Sequence, residues 1–245
     1  MLTQEILSRC LFLDIETVPI APEYSALTEP MQKCWEKKVR TKIQEGHLPQ
    51  TLYDQMAGIS AEFAKIICIS CGVIQFPKEK NGIAPKVRIL SFTHEDEKEL
   101  ILSFWQVINR HFKNASSSKY ICGHNIKEFD IPFICRRAVI HQLLPLPTPL
   151  QLFGKRPWEV QHLLDTMEFW KFGDNKAFTS LELLALALGI PSPKNDLDGS
   201  QIAQVYWQEQ DIKRIKNYCE QDVKTTIQVA LRLAGLNPFD LDLNS

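Results

Sequence analysis

The chain has 245 residues, of which 44% are hydrophobic and 23% charged, an ordinary composition for a globular protein. Lys and Arg number 28 and Asp and Glu 29, so the net charge of −1 argues against a protein that coats nucleic acid or an anionic membrane by bulk attraction. The first ten residues lack the pattern of a signal peptide, and no apolar run approaches about 20 residues, so we expect neither secretion nor a membrane span. The odd count of seven cysteines favours a reducing compartment, and we expect a cytoplasmic protein.

Strand-like and helix-like segments follow each other along the chain. Short apolar segments predict five strands, at 10–15, 66–76, 86–92, 119–123 and 160–165. Asn81-Gly82 is a turn signal between the second and third strands and predicts that they form an antiparallel hairpin. Helical periodicity covers 95–112, 131–144, 180–189 and 210–234, and Thr179 with Glu182 fits a capping box for the third of these helices. A hairpin followed by alternating helices and strands predicts an α/β protein with a mixed five-stranded sheet.

Two segments interrupt the alternation of predicted strands and helices. A helical insertion at about 20–60 separates the first two strands, and a proline-rich loop at 144–159 follows the second predicted helix. We expect a single domain over residues 1–245.

Cys68 and Cys71 have C-x-x-C spacing but lie within a predicted strand, where positions three apart face opposite sides, so we expect neither a zinc site nor a redox site.

Two acids stand in the first predicted strand, within the stretch LFLDIETVP. Residues i and i+2 of a strand share a face about 7 Å apart, so Asp14 and Glu16 would present adjacent carboxylates. Such a pair is costly when desolvated unless one acid is protonated, a basic partner is present or a divalent cation binds. The alternative is that the strand ends at Leu13 and both acids are solvated.

Two further stretches place acids near the ends of other elements. GHNIKEFD follows the fourth strand and contains Asp130, for which an N-cap role is an adequate structural explanation. In YCEQD, Tyr218 and Asp222 have i and i+4 spacing and would lie on one face of the last helix. Four carboxylates from separate elements would supply hard oxygen ligands for Mg²⁺ or Mn²⁺. Two such ions about 4 Å apart can promote in-line displacement at a phosphodiester.

These three stretches resemble the motifs of the DEDD 3′-5′ exonuclease superfamily in its tyrosine form. LFLDIET corresponds to the first motif, GHNIKEFD to the second and YCEQD to the third. The second motif is most similar to that of the proofreading exonuclease domain of B-family DNA polymerases, and the chain resembles stand-alone proteins predicted to be relatives of that domain. The resemblance covers about residues 10–235. It implies a ribonuclease H-like fold with helices on both faces of the sheet and no attached polymerase domain.

The resemblance also implies roles for individual residues. Asp14 would bridge two Mg²⁺ or Mn²⁺ ions, Glu16 and Asp222 would complete the site of the water-activating ion, and Asp130 would serve the second ion. Tyr218 would orient the attacking water, because a phenol with a pKa near 10 is a poor base at neutral pH. The positions where the family holds the terminal nucleotide are Thr17, Asn125 and Phe129. The alternative for Phe129 is a buried side chain that holds the turn.

The activity implied is 3′-5′ hydrolysis of single-stranded DNA from its 3′ end with release of nucleoside 5′-monophosphates. An exoribonuclease acting on RNA or short oligoribonucleotides is an alternative, and a catalytically silent nucleic-acid-binding scaffold is a second one. The loop around 153–158 is a candidate for substrate contact, and Asp165 is explained as an N-cap rather than as a catalytic residue. Basic residues that could line a path for the strand are Lys127, Arg136, Arg137, Lys155, Arg156, Lys171 and Lys176. The alternative is that each of them is a solvated surface charge.

Overall fold

A single five-stranded sheet organises the protein. The computed structural model describes residues 2–77, 84–113, 118–174, 178–191 and 197–238. The strands are β1 Cys10–Pro19, β2 Ala64–Gln75, β3 Lys86–Phe92, β4 Tyr120–Gly123 and β5 Leu163–Asp165, in the spatial order β3-β2-β1-β4-β5. β2 is antiparallel to β1 and β3, whereas β4 is parallel to β1 and β5. The predicted mixed sheet and the antiparallel pairing of β2 with β3 are confirmed, although the Asn81-Gly82 turn itself lies outside the described residues.

Helices connect the strands and cover the sheet. They are α1 Gln4–Leu7, α2 Glu29–Lys38, α3 Arg40–Gln44, α4 Pro49–Met56, α5 Glu97–Phe112, α6 Asp130–Ile140, α7 Thr166–Lys171, α8 Leu181–Ala187, α9 Ile202–Gln204 and α10 Ile212–Leu233. The segment between β1 and β2 therefore contains α2, α3 and α4. A π-helical turn, Val205–Glu209, follows α9. No helix in the described ranges is long and apolar enough to cross a membrane.

Alternate residues of the central strands face two separate cores. Leu13 and Ile15 of β1 pack with α5 and α6, whereas Phe12 packs with Val223 and other residues of α10. The α10 helix approaches β2 closely at Gly72, where a Cβ would come within 2.7 Å of the Val223 Cγ1 atom. Cys71 belongs to the core beneath α5 and α6, whereas Cys68 packs with Cys219 on the α10 side, as strand alternation predicts.

The ends of several elements differ from the prediction. β1 continues to Pro19 with an irregularity in its register between Glu16 and Thr17, so the alternative of a strand that ends at Leu13 is wrong. The N-cap of α8 is Ser180, whose hydroxyl accepts from the Leu183 N–H at 3.3 Å, and not Thr179. The Thr179 carbonyl instead accepts from His124 Nε2 at 2.8 Å. Local sequence cannot reveal this long-range contact of the residue that precedes the N-cap.

β1 extends further along the sheet than its neighbour β4. The last β1 residue paired with β4 is Phe12, which lies opposite Cys122. The later residues of β1 therefore have an edge that β4 does not cover. The chain turns after Gly123 and enters α6 at Asp130, beside this open edge.

Candidate active site

The two acids of β1 lie side by side beneath α10. Asp14 and Glu16 are two residues apart in the strand, and Glu16 is only 9% exposed. One carboxylate oxygen of each acid and the Cys219 Sγ atom lie within 4.8 Å of one another. The Asp14 Oδ2 atom is buried and has no hydrogen-bond partner among the described residues. A buried carboxylate oxygen without a donor is costly, so its environment is suited to a cation.

Asp130 approaches this pair at the edge of β1 that β4 leaves unpaired. It is the first residue of α6 and is 4% exposed, and its Oδ1 atom accepts from the Ile15 N–H at 3.2 Å. The N-cap position belongs to Phe129, whose side chain makes no cap hydrogen bond, so the N-cap interpretation of Asp130 is wrong. The hydrogen bond to Ile15 fixes Asp130 at the strand residue between the two acids of β1.

The last helix contributes a tyrosine and the fourth acid of the site. Tyr218 and Asp222 lie one turn apart in α10, close enough for each side chain to shift the pKa of the other. Cys219 donates its thiol hydrogen to the Asp14 carbonyl oxygen, with an Sγ to O distance of 3.5 Å, and so ties α10 to β1. A Cβ on Gly199 would lie 3.8 Å from the Tyr218 hydroxyl oxygen, so the 3₁₀ turn Gly199–Gln201 approaches this hydroxyl.

The acids perturb one another strongly. Burial, followed by the charges of Asp222 and Asp130, raises the pKa of Asp14 well above its usual value, and burial with the charge of Asp14 does the same to the pKa of Glu16. Burial raises the pKa of Asp130 and of Asp222 to about 7. Without a cation, full ionisation of this cluster is unfavourable, because desolvation and like charge both oppose it.

The tyrosine of the cluster remains a neutral phenol. Burial and the negative charge of Asp222 raise the pKa of Tyr218 above its usual value of 10. At neutral pH its hydroxyl can therefore donate and accept hydrogen bonds but cannot serve as a phenolate base.

The donor set fits a hard divalent cation. The four acids offer carboxylate oxygens, which Mg²⁺ and Mn²⁺ prefer, and the orphaned Asp14 Oδ2 atom is one of them. Cys219 is the member of the cluster that sequence reasoning missed. Its only signal was its place beside Tyr218 in YCEQD.

The turn after β4 is held by Asp165. Asn125 adopts a left-handed backbone conformation with φ 61°, and its N–H donates to Asp165 Oδ1 at 2.9 Å. Asp165 also accepts from the Lys127 N–H and, as the N-cap of α7, from the Met167 N–H. The predicted N-cap role of Asp165 is confirmed, and the same side chain fixes the turn that precedes Asp130.

The three residues expected at the terminal nucleotide have different environments. The Asn125 Oδ1 atom is buried and has no hydrogen-bond partner among the described residues. Thr17 donates its hydroxyl to the Gly58 carbonyl at 2.6 Å and so links β1 to the inserted segment. Phe129 is half-buried and packs against Phe133 with ring centroids 5.4 Å apart, as expected for a phenylalanine that holds the turn. Of the three, Asn125 has the free polar atom.

The predicted basic path is only partly at the surface. Arg137 is 7% exposed and pairs with Glu97 at 2.5 Å, so its inclusion was wrong. The remaining side chains with described contacts are Lys127 paired with Glu168, Lys155 with Glu159 at 3.5 Å, and Arg156 over the Trp158 ring at 5.2 Å. Arg136 is exposed and Lys171 is half-buried, whereas Lys176 lies outside the described residues.

A mixed sheet in this order, with acids on its central strand and on the last helix, is the arrangement of a ribonuclease H-like fold. The chain belongs to the family described as predicted 3′-5′ exonuclease related to the exonuclease domain of PolB, whose model matches residues 59–239. That range includes Asp130, Tyr218 and Asp222, whereas Asp14 and Glu16 precede it.

The fold likeness extends over nearly the whole chain. The structure is similar to that of the family B DNA polymerase from the hyperthermophilic archaeon Pyrobaculum calidifontis, with a TM-score of 0.55 and 15% sequence identity over 91% of this chain. The match covers 24% of that polymerase chain, and at this identity it shows the fold alone. The comparison with curated proteins gives no match. The predicted family and the ribonuclease H-like fold are therefore confirmed.

Proposed function

We propose that this chain is a single metal-dependent exonuclease domain that hydrolyses the 3′-terminal phosphodiester of single-stranded DNA and releases nucleoside 5′-monophosphates. The observation that carries the proposal is the buried, unpartnered Asp14 Oδ2 atom. A carboxylate oxygen of Asp14 lies within 4.8 Å of one of Glu16, and the charges of Asp222 and Asp130 also act on Asp14. Uncompensated carboxylates of this kind destabilise a folded chain, and groups perturbed in this way are found mainly at functional sites. Family membership indicates that function, because the family is described as one of predicted 3′-5′ exonucleases.

In this proposal Asp14, Glu16, Asp130 and Asp222 hold two Mg²⁺ or Mn²⁺ ions. Such ions, when bound, lower the pKa of a coordinated water and stabilise the leaving 3′-oxygen of an in-line displacement. The chain's own contribution is to place the acids on rigid elements, through the Ile15 N–H to Asp130 bond and the Cys219 thiol to Asp14 carbonyl bond.

Tyr218 acts in this proposal as a hydrogen-bonding group rather than as a base. Its raised pKa keeps the proton on the phenol, and its position one turn from Asp222 places the side chain beside the acid cluster. It would thus orient the attacking water. Asn125, with its unpartnered Oδ1 atom, would hold the terminal nucleotide together with the backbone of Thr17 and the ring of Phe129.

The experiment that tests the proposal is digestion of matched 5′-labelled single-stranded DNA and RNA in the presence of Mn²⁺. We expect a ladder of shortened 5′-labelled products from DNA, with nucleoside 5′-monophosphates as the released species. Asp14→Asn and Asp222→Asn should abolish the ladder. Asp54→Asn is the matched control, because it makes the same chemical change at an exposed aspartate in α4 and should digest like the wild type.

The outcomes separate the alternatives. A ladder from RNA in preference to DNA would replace the substrate and keep the chemistry. No ladder from either substrate would reject the exonuclease proposal in favour of a silent scaffold. Equal activity in Asp14→Asn and Asp54→Asn would show that the acid cluster does not carry the hydrolysis and would also reject the proposal. Tyr218→Phe should lower turnover and leave Mn²⁺ binding intact, and loss of metal binding in this variant would contradict the role given to the phenol.

A further inference from the structure

A polar cavity, distinct from the acid cluster, lies on the same face of the sheet as the acids, beyond the C-terminal half of β1. It encloses about 650 Å³, within the range of ligand-binding pockets. Its inner wall includes Lys65 of β2, which pairs with Val18 of β1. Val18 packs with Val205 and Cys219 in a buried apolar cluster, so this cavity is separate from the acid site.

Lys65, on the inner wall of this cavity, contacts two aromatic rings. The Lys65 Nζ atom lies 4.8 Å from the ring centroid of Tyr206 and 4.9 Å from that of Trp207, and it donates to the Tyr206 hydroxyl at 2.9 Å. The rings are themselves fixed, because Trp207 donates its indole N–H to the Pro19 carbonyl at 3.2 Å and lies edge-on to Tyr206. An ammonium group has three donors, so two remain for a ligand, and the cost of ordering this long side chain is already met.

The π-helical turn explains why both rings reach the same lysine. Tyr206 and Trp207 are consecutive residues of Val205–Glu209, a single π-helical turn, and such turns are frequent at functional sites. The widened turn brings two neighbouring side chains onto Lys65, with ring centroids 5.0 Å apart.

The outer wall adds further polar groups. His94 adds an imidazole whose Nδ1 atom is held against the Asp96 backbone, 3.0 Å from its nitrogen and 3.1 Å from its carbonyl oxygen. Thr93 and Gln210 supply a hydroxyl and an amide, and Glu95 supplies the one carboxylate among the lining residues. The cavity thus combines a fixed cation, a second donor, an aromatic surface and an acceptor.

We propose that this cavity binds a nucleotide. The phosphate would lie against Lys65 and His94, and the base would pack on the exposed part of Trp207 with an N–H donor near Glu95. Inorganic phosphate alone would use neither the aromatic surface nor the carboxylate. The choice of a nucleotide rests on the proposed exonuclease function, since the cavity by itself requires only an anion with an attached apolar group.

The same nucleotide chemistry has two sources, the substrate strand and a free mononucleotide such as the reaction product. The test is calorimetric titration of the full chain in EDTA with thymidine 5′-monophosphate, a 12-nucleotide oligo(dT) and inorganic phosphate. The variants are Lys65→Gln and His94→Ala. The matched control is Lys86→Gln, which makes the same change at the opposite end of β3 from Thr93. Thermal unfolding of each variant verifies that it is folded.

We expect Lys65→Gln to weaken nucleotide binding at least tenfold, His94→Ala to weaken it less, and Lys86→Gln to change it less than twofold. A tenfold effect on thymidine monophosphate identifies a site for free nucleotides, and an effect confined to the oligonucleotide identifies a site for the strand. Both results support the proposal. It is overturned if none of the three probes binds, if Lys65→Gln and Lys86→Gln have equal effects, or if phosphate binds as tightly as thymidine monophosphate.

Because these titrations contain no metal, they are independent of hydrolysis. An absent digestion ladder together with a Lys65-dependent titration would reject the exonuclease proposal and leave the nucleotide site. A normal ladder with unchanged binding in Lys65→Gln would reject the nucleotide site alone.

Discussion

A buried ion pair behind the acid site gives the sharpest stability prediction. Arg137 of α6 donates through Nε and Nη2 to the Glu97 carboxylate, at 2.9 and 2.5 Å, and through Nη1 to the Ala61 carbonyl at 2.9 Å. Glu97 is 5% exposed and also accepts from the Ile66 N–H at 2.7 Å and from His141. This cluster joins α5, α6 and the start of β2, and α6 carries Asp130.

The change to make is Arg137→Met, with Arg136→Met as its neighbour control. Removing one partner of a buried ion pair leaves the other charge uncompensated and costs about 3–5 kcal/mol. His141 remains as a donor to Glu97, which favours the lower end of that range. In a chain of this length about 3 kcal/mol corresponds to a fall in melting temperature of roughly 10 °C. Arg136 is exposed, and its replacement should change stability by less than about 0.5 kcal/mol.

Urea unfolding followed by circular dichroism measures both variants. Equal losses in the two variants, or a loss below about 1 kcal/mol for Arg137→Met, would refute the conclusion that the Arg137–Glu97 pair fixes α6.

Two other predictions concern the acids around the site. The folded-state pKa of Asp130 is about 7 against an ordinary value of 3.8, so the folded chain binds more protons between these values. The unfolding free energy of the metal-free protein should therefore fall as pH rises from about 4 to about 7, by up to about 4 kcal/mol from this group. Melting temperatures in EDTA at pH 5 and pH 8 measure this, and a higher value at pH 8 would contradict it. Asp165→Asn weakens the charge-assisted hydrogen bonds from the N–H groups of Asn125, Lys127 and Met167. We expect urea unfolding to show a loss of about 2 kcal/mol in the free energy of unfolding. A loss below about 0.5 kcal/mol would show that these bonds do not hold the turn.

Local periodicity was enough to predict the sheet and the acid positions. The i and i+2 spacing of Asp14 and Glu16 and the i and i+4 spacing of Tyr218 and Asp222 follow from strand and helix geometry alone, and the structure has both. Asp165 was assigned as an N-cap on the same local grounds. These features depend on residues close together in sequence, where steric and hydrogen-bonding rules are strong.

Features that depend on contacts between distant segments could not be predicted in this way. Asp130 reads as an N-cap until the Ile15 N–H, 115 residues away, is placed beside it. Arg137 reads as a surface cation next to Arg136 until Glu97 is found against it. Cys219 carries no spacing signal for its bond to Asp14. In each case the partner is selected by the packing of separate elements, which a single sequence does not encode in its local pattern.

The central claim is that the buried acids of β1 and α10 are kept ionised by divalent ions. Calorimetric titration of Mn²⁺ into the wild type, Asp14→Asn and Asp54→Asn at pH 7.5 tests it without reference to activity. We predict saturable binding to the wild type and to Asp54→Asn, a matching rise in their melting temperatures, and loss of both effects in Asp14→Asn. Equal Mn²⁺ binding by Asp14→Asn and the wild type, or no binding by any of the three, would contradict the account.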